Sequence, residues 1–355
     1  MNFVNTEECI NMEKYIVAMS GGVDSSAAAM LLNNGENEVC GATLKLLPGA
    51  ESADASDARK VCEKLGINFK LINYEAPFKE LVIDKFISAY EKGETPNPCV
   101  FCNKSVKFRA MLDYADSIGF NKIATGHYVK IKSCSGRRLI YKAEDSSKDQ
   151  SYVLYTLTQD MLKRIEFPLA ELSKGEIREL AAKAGLTVSS KKDSQDICFV
   201  PNGKYAEVIE KYTNKSYPCG NFIDESGNVL GEHKGIIRYT IGQRRGLGLA
   251  LPASMYVKSK DVKSNTVTLC FNESLYSKEL FAKDYNFIAF DSLNSPLKCT
   301  AKTRYKSNFA ACTVYPDNGS GLIRVVFDEA QRAITKGQSV VFYDGDLLLG
   351  GGIIV

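Results

Sequence analysis

The residues best suited to chemistry are a glycine-serine loop, Ser20 to Ser25 (SGGVDS), and three cysteines, Cys99, Cys102 and Cys198. The loop lies between an apolar run and the helical SSAAAMLL. Two glycines let the backbone approach a phosphate, and a helix start turns unpaired N–H groups toward it. Ser20, Ser25 and Ser26 add hydroxyls, and Asp24 is a candidate holder for a Mg²⁺ bridging phosphates. The lysine of a Walker-type loop is absent. In TPNPCVFCNKSVKF (95–108), Pro96 and Pro98 stiffen the approach to a helix start that presents Cys99 and Cys102 beside Lys104 and Lys107. A helix N-terminus and nearby cations lower a thiol's pKa, so reactive thiolates are expected there. Cys198 follows Lys191 and Lys192 in KKDSQDICFV. Cys40, Cys62, Cys270, Cys299 and Cys312, and more loosely Cys9, Cys134 and Cys219, read as small hydrophobes.

The elements that must position these groups alternate in type. Strands are expected at Tyr15–Met19, Glu38–Leu46, Asn68–Ile72 and Lys122–Ala124. Helices are expected at Asp54–Leu65, Phe78–Lys92 and Ser105–Ile118, two of them closed by Gly66 and Gly119. This alternation predicts an α/β fold, a parallel sheet covered on both faces, with ligands at the carboxyl ends of its strands. Arg137–Tyr141 reads as the return arm of a hairpin, with helices following through Ala184. Beyond Asn202 short β-like runs follow, among them HKGIIRYTI and GQRRGLGL, and from Thr300 onward the pattern is all strand, a small β-barrel.

Composition narrows the function. Two histidines, His127 and His233, give poor support to a His-built zinc site or a Ser-His-Asp hydrolase. Eleven cysteines in a chain this long suit a reducing, cytoplasmic compartment. No signal peptide or membrane span is expected. The net charge is +3, yet 117–143 holds six basic residues and no acid, and 233–260 repeats this pattern. With Lys104, Lys107 and Arg109, these tracts favour a polyanionic partner.

The loop resembles the pyrophosphate loop of the ATP pyrophosphatase superfamily, which alone leaves GMP synthetases, argininosuccinate synthetases and tRNA-modifying enzymes equally open. SGGVDSS, TPNPCVFCNKSVKF, ATGHY (124–128), KDQSYVLYTL (148–157), KKDSQDICF, RYTIGQRRGLGL and the closing FYDGDLLLGGGII, in this order, resemble the bacterial tRNA-specific 2-thiouridylase family. That resemblance implies a Rossmann-like ATP pyrophosphatase domain over 13–205, a small central tRNA-contacting domain over 206–275 and a C-terminal β-barrel over 276–355.

It also implies ATP held by Ala18, Met19, Ser20, Gly21, Gly22, Val23, Asp24 and Ser25, with adenine near Leu44 and Gly126. The uridine O2 would be adenylated with release of pyrophosphate. Cys198 would carry sulfur as a persulfide, and Cys102 would assist attack or free that sulfur by forming a disulfide with Cys198. Asn97, Pro98 and Cys99 are implied around a flipped base. His127, Lys148, Asp149, Gln150, Arg304, Tyr305 and Gln338 are implied along the tRNA, and Arg244 and Arg245 are phosphate-contact candidates. The expected partners are tRNA and a sulfur-donor protein or relay, with the chain a monomer. Many relatives carry an acid where this chain has Cys99, and Gln195-Asp196 replaces a small, glycine-containing pair. Cys99, Cys102 and Cys198 would alternatively ligate a [4Fe–4S] cluster. A non-thiolating ATP pyrophosphatase ligase is the other alternative.

Overall fold

A computed structural model describes residues 12–49, 52–186, 188, 197–251 and 253–355. Cys9 and the stretch 191–196, with Gln195 and Asp196, lie outside the described residues. The N-terminal sheet holds β1 (Glu13–Ala18), β2 (Asn37–Lys45), β3 (Asn68–Asn73), β4 (Lys122–Thr125) and the two-residue β7 (Ile165–Glu166). Its order is β3-β2-β1-β4-β7, every neighbour parallel, with Tyr15 against Val39 and Lys122. Strand order reverses beside β1, which opens a crevice at the carboxyl ends of β1 and β4. Alternation along β1 sorts its side chains. Tyr15 and Val17 pack with Ala27, Ala28 and Ala29 of α1 (Val23–Leu32), while Ile16 packs with Phe108 and Met111 on the other face. The alanines let α1 lie close to the sheet. A second helix, α2 (Ala53–Leu65), is capped by the Ser52 side chain and stopped by Gly66 at φ 67°.

Two longer helical stretches follow, each with a π turn inside. In α3 (75–91) it spans Lys79–Ile83, and in α4 (98–117) it spans Asn103–Lys107. Helices are expected in both places, but nothing in the sequence marks the extra residue in the ladder, a feature frequent near functional sites. A hairpin, β5 (Val129–Cys134) and β6 (Arg137–Lys142), the short α5 (Gln159–Leu162) and α6 (Lys174–Lys183) complete this half. A capping box, Ser173 with Glu176, starts α6.

Next come α7 (Tyr205–Thr213) and a four-stranded sheet of β8 (Gly220–Ile223), β9 (Val229–His233), β10 (Tyr256–Asp261) and β11 (Thr266–Cys270). This sheet packs Phe222, Val257, Val267 and Leu269 against Phe78, Phe86 and Tyr90 of α3. The β-like reading of 233–249 is corrected. After β9 the segment is a single helical turn at Ile236–Arg238 followed by irregular chain through Leu249. Gly235, Gly242, Gly246 and Gly248 all adopt positive φ, which a strand ladder does not accommodate.

The barrel is a closed cylinder of β12 (Tyr276–Phe287), β13 (Leu297–Lys302), β14 (Ala310–Tyr315), β15 (Ile323–Arg332), β16 (Ser339–Asp344) and β17 (Leu347–Ile354). Its order is β12-β15-β14-β13-β16-β17, and β12 pairs with β17 to close it. Closure removes the sheet edges. The barrel is also fused to the first half, since Leu347 pairs with Tyr141 of β6. Tyr152 donates to the Ser339 carbonyl at 2.8 Å, and Asn286 Nδ2 donates to the Tyr155 carbonyl at 2.6 Å.

Candidate active site

The phosphate loop follows β1 directly. Met19 N–H donates to the Ala42 carbonyl and Thr43 Oγ1 to the Met19 carbonyl, each at 2.8 Å, so β2 fixes where the loop begins. Gly21 turns the chain at φ 68°, and a Cβ there would sit 2.1 Å from the Asp54 carbonyl oxygen. Only glycine satisfies both demands. Gly22 precedes α1 with no side-chain cap, leaving the helix start facing the crevice. The serines are partly spent on the loop. Ser25 Oγ accepts from Ser20 N–H at 3.1 Å, and Ser26 Oγ donates to the Gly22 carbonyl at 2.9 Å. Met19 and Val23 are buried in the core, so they reach a nucleotide only through backbone. Ala18 and Leu44 are half-buried beside the crevice.

Asp24 is already paired within the chain. Lys174 Nζ, at the start of α6, donates to both its carboxylate oxygens at 2.7 Å, and Tyr128 hydroxyl donates to Oδ1 at 2.5 Å. A Mg²⁺ brought in with ATP at Asp24 would share that carboxylate with the Lys174 ammonium or displace it. No sequence pattern pointed to Lys174. The Ser173–Glu176 capping box foretells a helix start, not its return to the loop.

Gly126 joins this loop to the thiols. A Cβ on it would lie 2.7 Å from both Asp24 C and Ser25 N, so β4 ends pressed against the start of α1. The next residue, His127, accepts or donates at Nδ1 to Thr125 Oγ1 at 2.8 Å and packs between Phe108 and Phe167. Burial, followed by the charge of Lys107, pushes its pKa well below the ordinary range, so the ring is neutral.

Phe108 belongs to α4, whose first turn carries Cys99 and Cys102. Asn97 caps that turn, its Oδ1 accepting from Cys99 N–H at 3.1 Å, and Pro98 is buried at the first helical position. Spaced by three residues, the two thiols share one helix face. Cys198 sits in a turn closed by Val200 N–H to the Ile197 carbonyl at 2.8 Å. Phe199 anchors this turn edge-on against Phe78 and Phe86 of α3. Cys99 and Cys198 each keep a solvent-facing side while protein crowds the other.

Here the expected low thiol pKa is corrected. Burial raises Cys99 and Cys102, with Lys107 offsetting only part. Cys198 is pushed up to about 12, by burial first and then by the charges of Cys102 and Cys99. Desolvation outweighs the helix terminus and the lysines. The three thiols therefore lie within one another's electrostatic reach, and all three are free. Among the described residues no three His, Cys, Asp or Glu side chains are grouped to hold a metal, so the thiols do not present a cluster site in this arrangement.

The remaining candidates build structure around this centre. Asp149 accepts from Ser151 Oγ at 2.7 Å and from Ala143 N–H at 3.2 Å, and Gln150 Oε1 accepts from Tyr128 N–H at 3.1 Å. Lys148 is half-buried beside them. Tyr305 hydroxyl donates to the Asp149 carbonyl at 3.1 Å. Arg304 donates to the carbonyls of Ile241 and Ala333, each at 3.0 Å, and Gln338 Nε2 donates to the Thr95 carbonyl at 2.7 Å. The latter two thus tie the barrel to the central region and to the loop before Cys99. Arg244 and Arg245 are exposed.

The acid-free tract does not stay unopposed. Lys122 meets Glu13 and Glu166, Lys130 meets Glu144, Arg137 meets Asp291 and Arg138 meets Glu166. Folding brings in carboxylates that the linear tract lacks, so these four cations are paired within the chain.

Residues 13–202 match a family model described as the tRNA methyl transferase HUP domain, 206–271 one described as the tRNA methyl transferase PRC-barrel domain, and 277–354 one described as the aminomethyltransferase beta-barrel domain. A tRNA-specific 2-thiouridylase MnmA of Clostridium acetobutylicum is 47% identical over 353 residues, covering 96% of this chain and 99% of the relative. The chain belongs to the tRNA-specific 2-thiouridylase family. The 2-thiouridylase of Clostridioides difficile is 46% identical, across 96% of this chain and 98% of its own length. A solved 4-thiouridine synthetase–RNA complex with bound ATP aligns over 56% of this chain and 50% of its own, with TM-score 0.38 and 18% identity.

Proposed function

We propose that this chain replaces the C2 oxygen of a tRNA uridine, at the anticodon wobble position, with sulfur at the expense of ATP. The observation that carries the proposal is the short span 125–128. Gly126 presses on the phosphate loop, Tyr128 holds Asp24, and His127 packs on the helix that presents the thiols. A phosphate-binding loop and a cluster of thiols are therefore neighbours in a member of this family.

In this reading the uridine O2 attacks the α-phosphorus and pyrophosphate leaves toward the start of α1 and Lys174. With its own thiol protonated at neutral pH, Cys198 contributes as a carrier of sulfane sulfur received from a donor protein or relay, not as a thiolate. The terminal sulfur forms the C2–S bond, and AMP leaves with the former O2. Cys102 attacks Cys198 to release that sulfur, leaving a Cys102–Cys198 disulfide that a thiol reductant reopens. Neutral His127 lines the base pocket as a hydrogen-bonding wall, and a base reaches that pocket only by leaving its stack. Arg304, Tyr305, Gln338, Lys148, Asp149 and Gln150 hold the rim that meets the anticodon arm. The domain division at 13–205, 206–275 and 276–355, a monomeric state and a cytoplasmic setting belong to the same proposal. No described helix is long and apolar enough to cross a membrane.

A non-thiolating ATP pyrophosphatase ligase, which would use the same loop before α1 without the thiols, is the second reading. One experiment separates the two: anaerobic turnover with ATP, Mg²⁺, a sulfane-sulfur donor, a thiol reductant and unmodified tRNA, read by pyrophosphate release and nucleoside mass spectrometry. Exchange of oxygen for sulfur, lost in Cys198→Ser while ATP and tRNA still bind, supports thiolation. Pyrophosphate release with no sulfur in the nucleoside, or a fully active Cys198→Ser, would falsify it.

A further inference from the structure

We propose that Lys142 and Lys302, gathered on the ring of Phe309, form a clamp for a backbone phosphate of the bound RNA. The clamp rests on the tRNA reading above and extends it to residues outside the candidate site. Lys142 Nζ stands 4.0 Å from the Phe309 ring centre, and Lys302 Nζ stands 5.1 Å from the same centre. Phe309 is 43% exposed, in the barrel loop between β13 and β14, and rests edge-on against buried Tyr343 at 5.1 Å. The ring is thus a fixed post with two ammonium groups held on it by cation–π attraction.

Two like charges at one post repel, and Asp149 offsets that repulsion at Lys302. Among the described residues Lys142 makes one ion pair, with the exposed Asp346 at 3.5 Å, and it spends its best hydrogen bond on the Gly345 carbonyl at 2.8 Å. Among the described residues Lys302 makes no ion pair. Burial lowers its pKa, Asp149 restores part of that, and Lys142 lowers it by less than Asp149 raises it. A pair of cations gathered on one ring beside open solvent is matched by a doubly hydrogen-bonding anion. An RNA phosphodiester has that charge and those acceptor oxygens.

Position argues for RNA as well. Lys302 also stands 5.8 Å from the Tyr305 ring centre, and the charges of Asp149, Lys148 and Cys99 all act on Tyr305. The clamp therefore lies one side chain away from the thiol edge where the target base would enter. A strand threading toward Cys99 would pass its phosphate over Phe309.

Binding of an unmodified tRNA transcript, titrated across a salt series, tests the clamp. Lys302→Gln and Lys142→Gln should each lower the slope of log affinity against log salt by about one, while Lys302→Arg keeps it and Lys183→Gln on α6 does not change it. Phe309→Leu should keep the thermal stability yet weaken binding about threefold to tenfold, because the ammonium groups lose their post. Wild type that fails to bind tRNA overturns the tRNA reading and the clamp together. Wild type that binds, with unchanged slopes in both glutamine variants, overturns the clamp alone.

Discussion

Lys174 and Asp24 form a two-point ion pair across 150 residues of chain, Nζ lying 2.7 Å from each carboxylate oxygen. The ammonium side chain is only 11% exposed and rests beside the Tyr128 ring. The phosphate loop lacks a lysine of its own, and α6 supplies one from the opposite wall. Lys174→Met should therefore lower kcat/KM for ATP about a hundredfold and abolish calorimetric pyrophosphate binding, with Lys174→Arg recovering part of both. Unchanged ATP kinetics in Lys174→Met would make this a purely structural pair.

Gly126→Ala should separate the loop from β4. The added methyl group meets two backbone atoms of α1 at 2.7 Å, so the loop must shift, and ATP affinity should fall at least about tenfold. Gly175→Ala, beside Lys174, is the control. Its methyl meets nothing nearer than Ser173 Oγ at 3.9 Å, and the substitution should leave ATP binding intact and raise Tm slightly. Isothermal titration of both variants decides the matter, and equal affinities would refute the close-approach argument.

The raised thiols make labelling strongly pH-dependent. Alkylation of Cys198 should climb about tenfold per pH unit from neutrality to about pH 10 without levelling, because its pKa stands at about 12. Stability follows the same linkage. A group whose folded pKa exceeds its unfolded value contributes fully below the unfolded value, about 8.5 for a thiol, and its contribution is lost as pH rises toward the folded one. Cys198→Ala should accordingly flatten the alkaline fall in stability. Peptide-resolved labelling that plateaus near neutral pH would contradict the desolvated setting.

Arg304→Met should unfasten the barrel from the central region. Two carbonyls, of Ile241 and Ala333, lose a charged donor at a site where burial also lowers the pKa of the guanidinium. The cost should be about 3 kcal/mol, read in urea unfolding, with faster hydrogen exchange around Ile241 and Ala333. A Tm within a degree of wild type would leave Arg304 free for RNA alone.

The parts of the site legible in the sequence are those set by local geometry. SGGVDS announces a strand-loop-helix because glycines and a helix start are neighbours in the chain. The Asn97–Pro98 helix entry was equally readable, its prolines marking the boundary before the thiols. What escaped depends on distant partners. Lys174 gives no local sign of meeting Asp24, and the acid-free tract gave none of Glu13, Glu166 and Asp291. Thiol pKa was misjudged because the N-terminus and lysines are visible in sequence while the crowding around Cys102 and Cys198 is not. The barrel was legible as strands, but the continuity from Leu347 to Tyr141 was not, since a single cross-strand pair leaves no periodic mark.

That continuity bears on how the chain matures at the ribosome. Tyr152 and Leu157, early in the chain, share one core with Val341, Tyr343 and Leu348, and Ser151 Oγ meets Tyr343 hydroxyl at 3.1 Å. Before residues 341–348 have been synthesised, the nascent nucleotide-binding half has an open flank of aromatic surface. Translation must therefore pass nearly the whole message before that half can close, and a transcript truncated within β17 would yield a chain whose first domain, not merely its last, is a substrate for proteases.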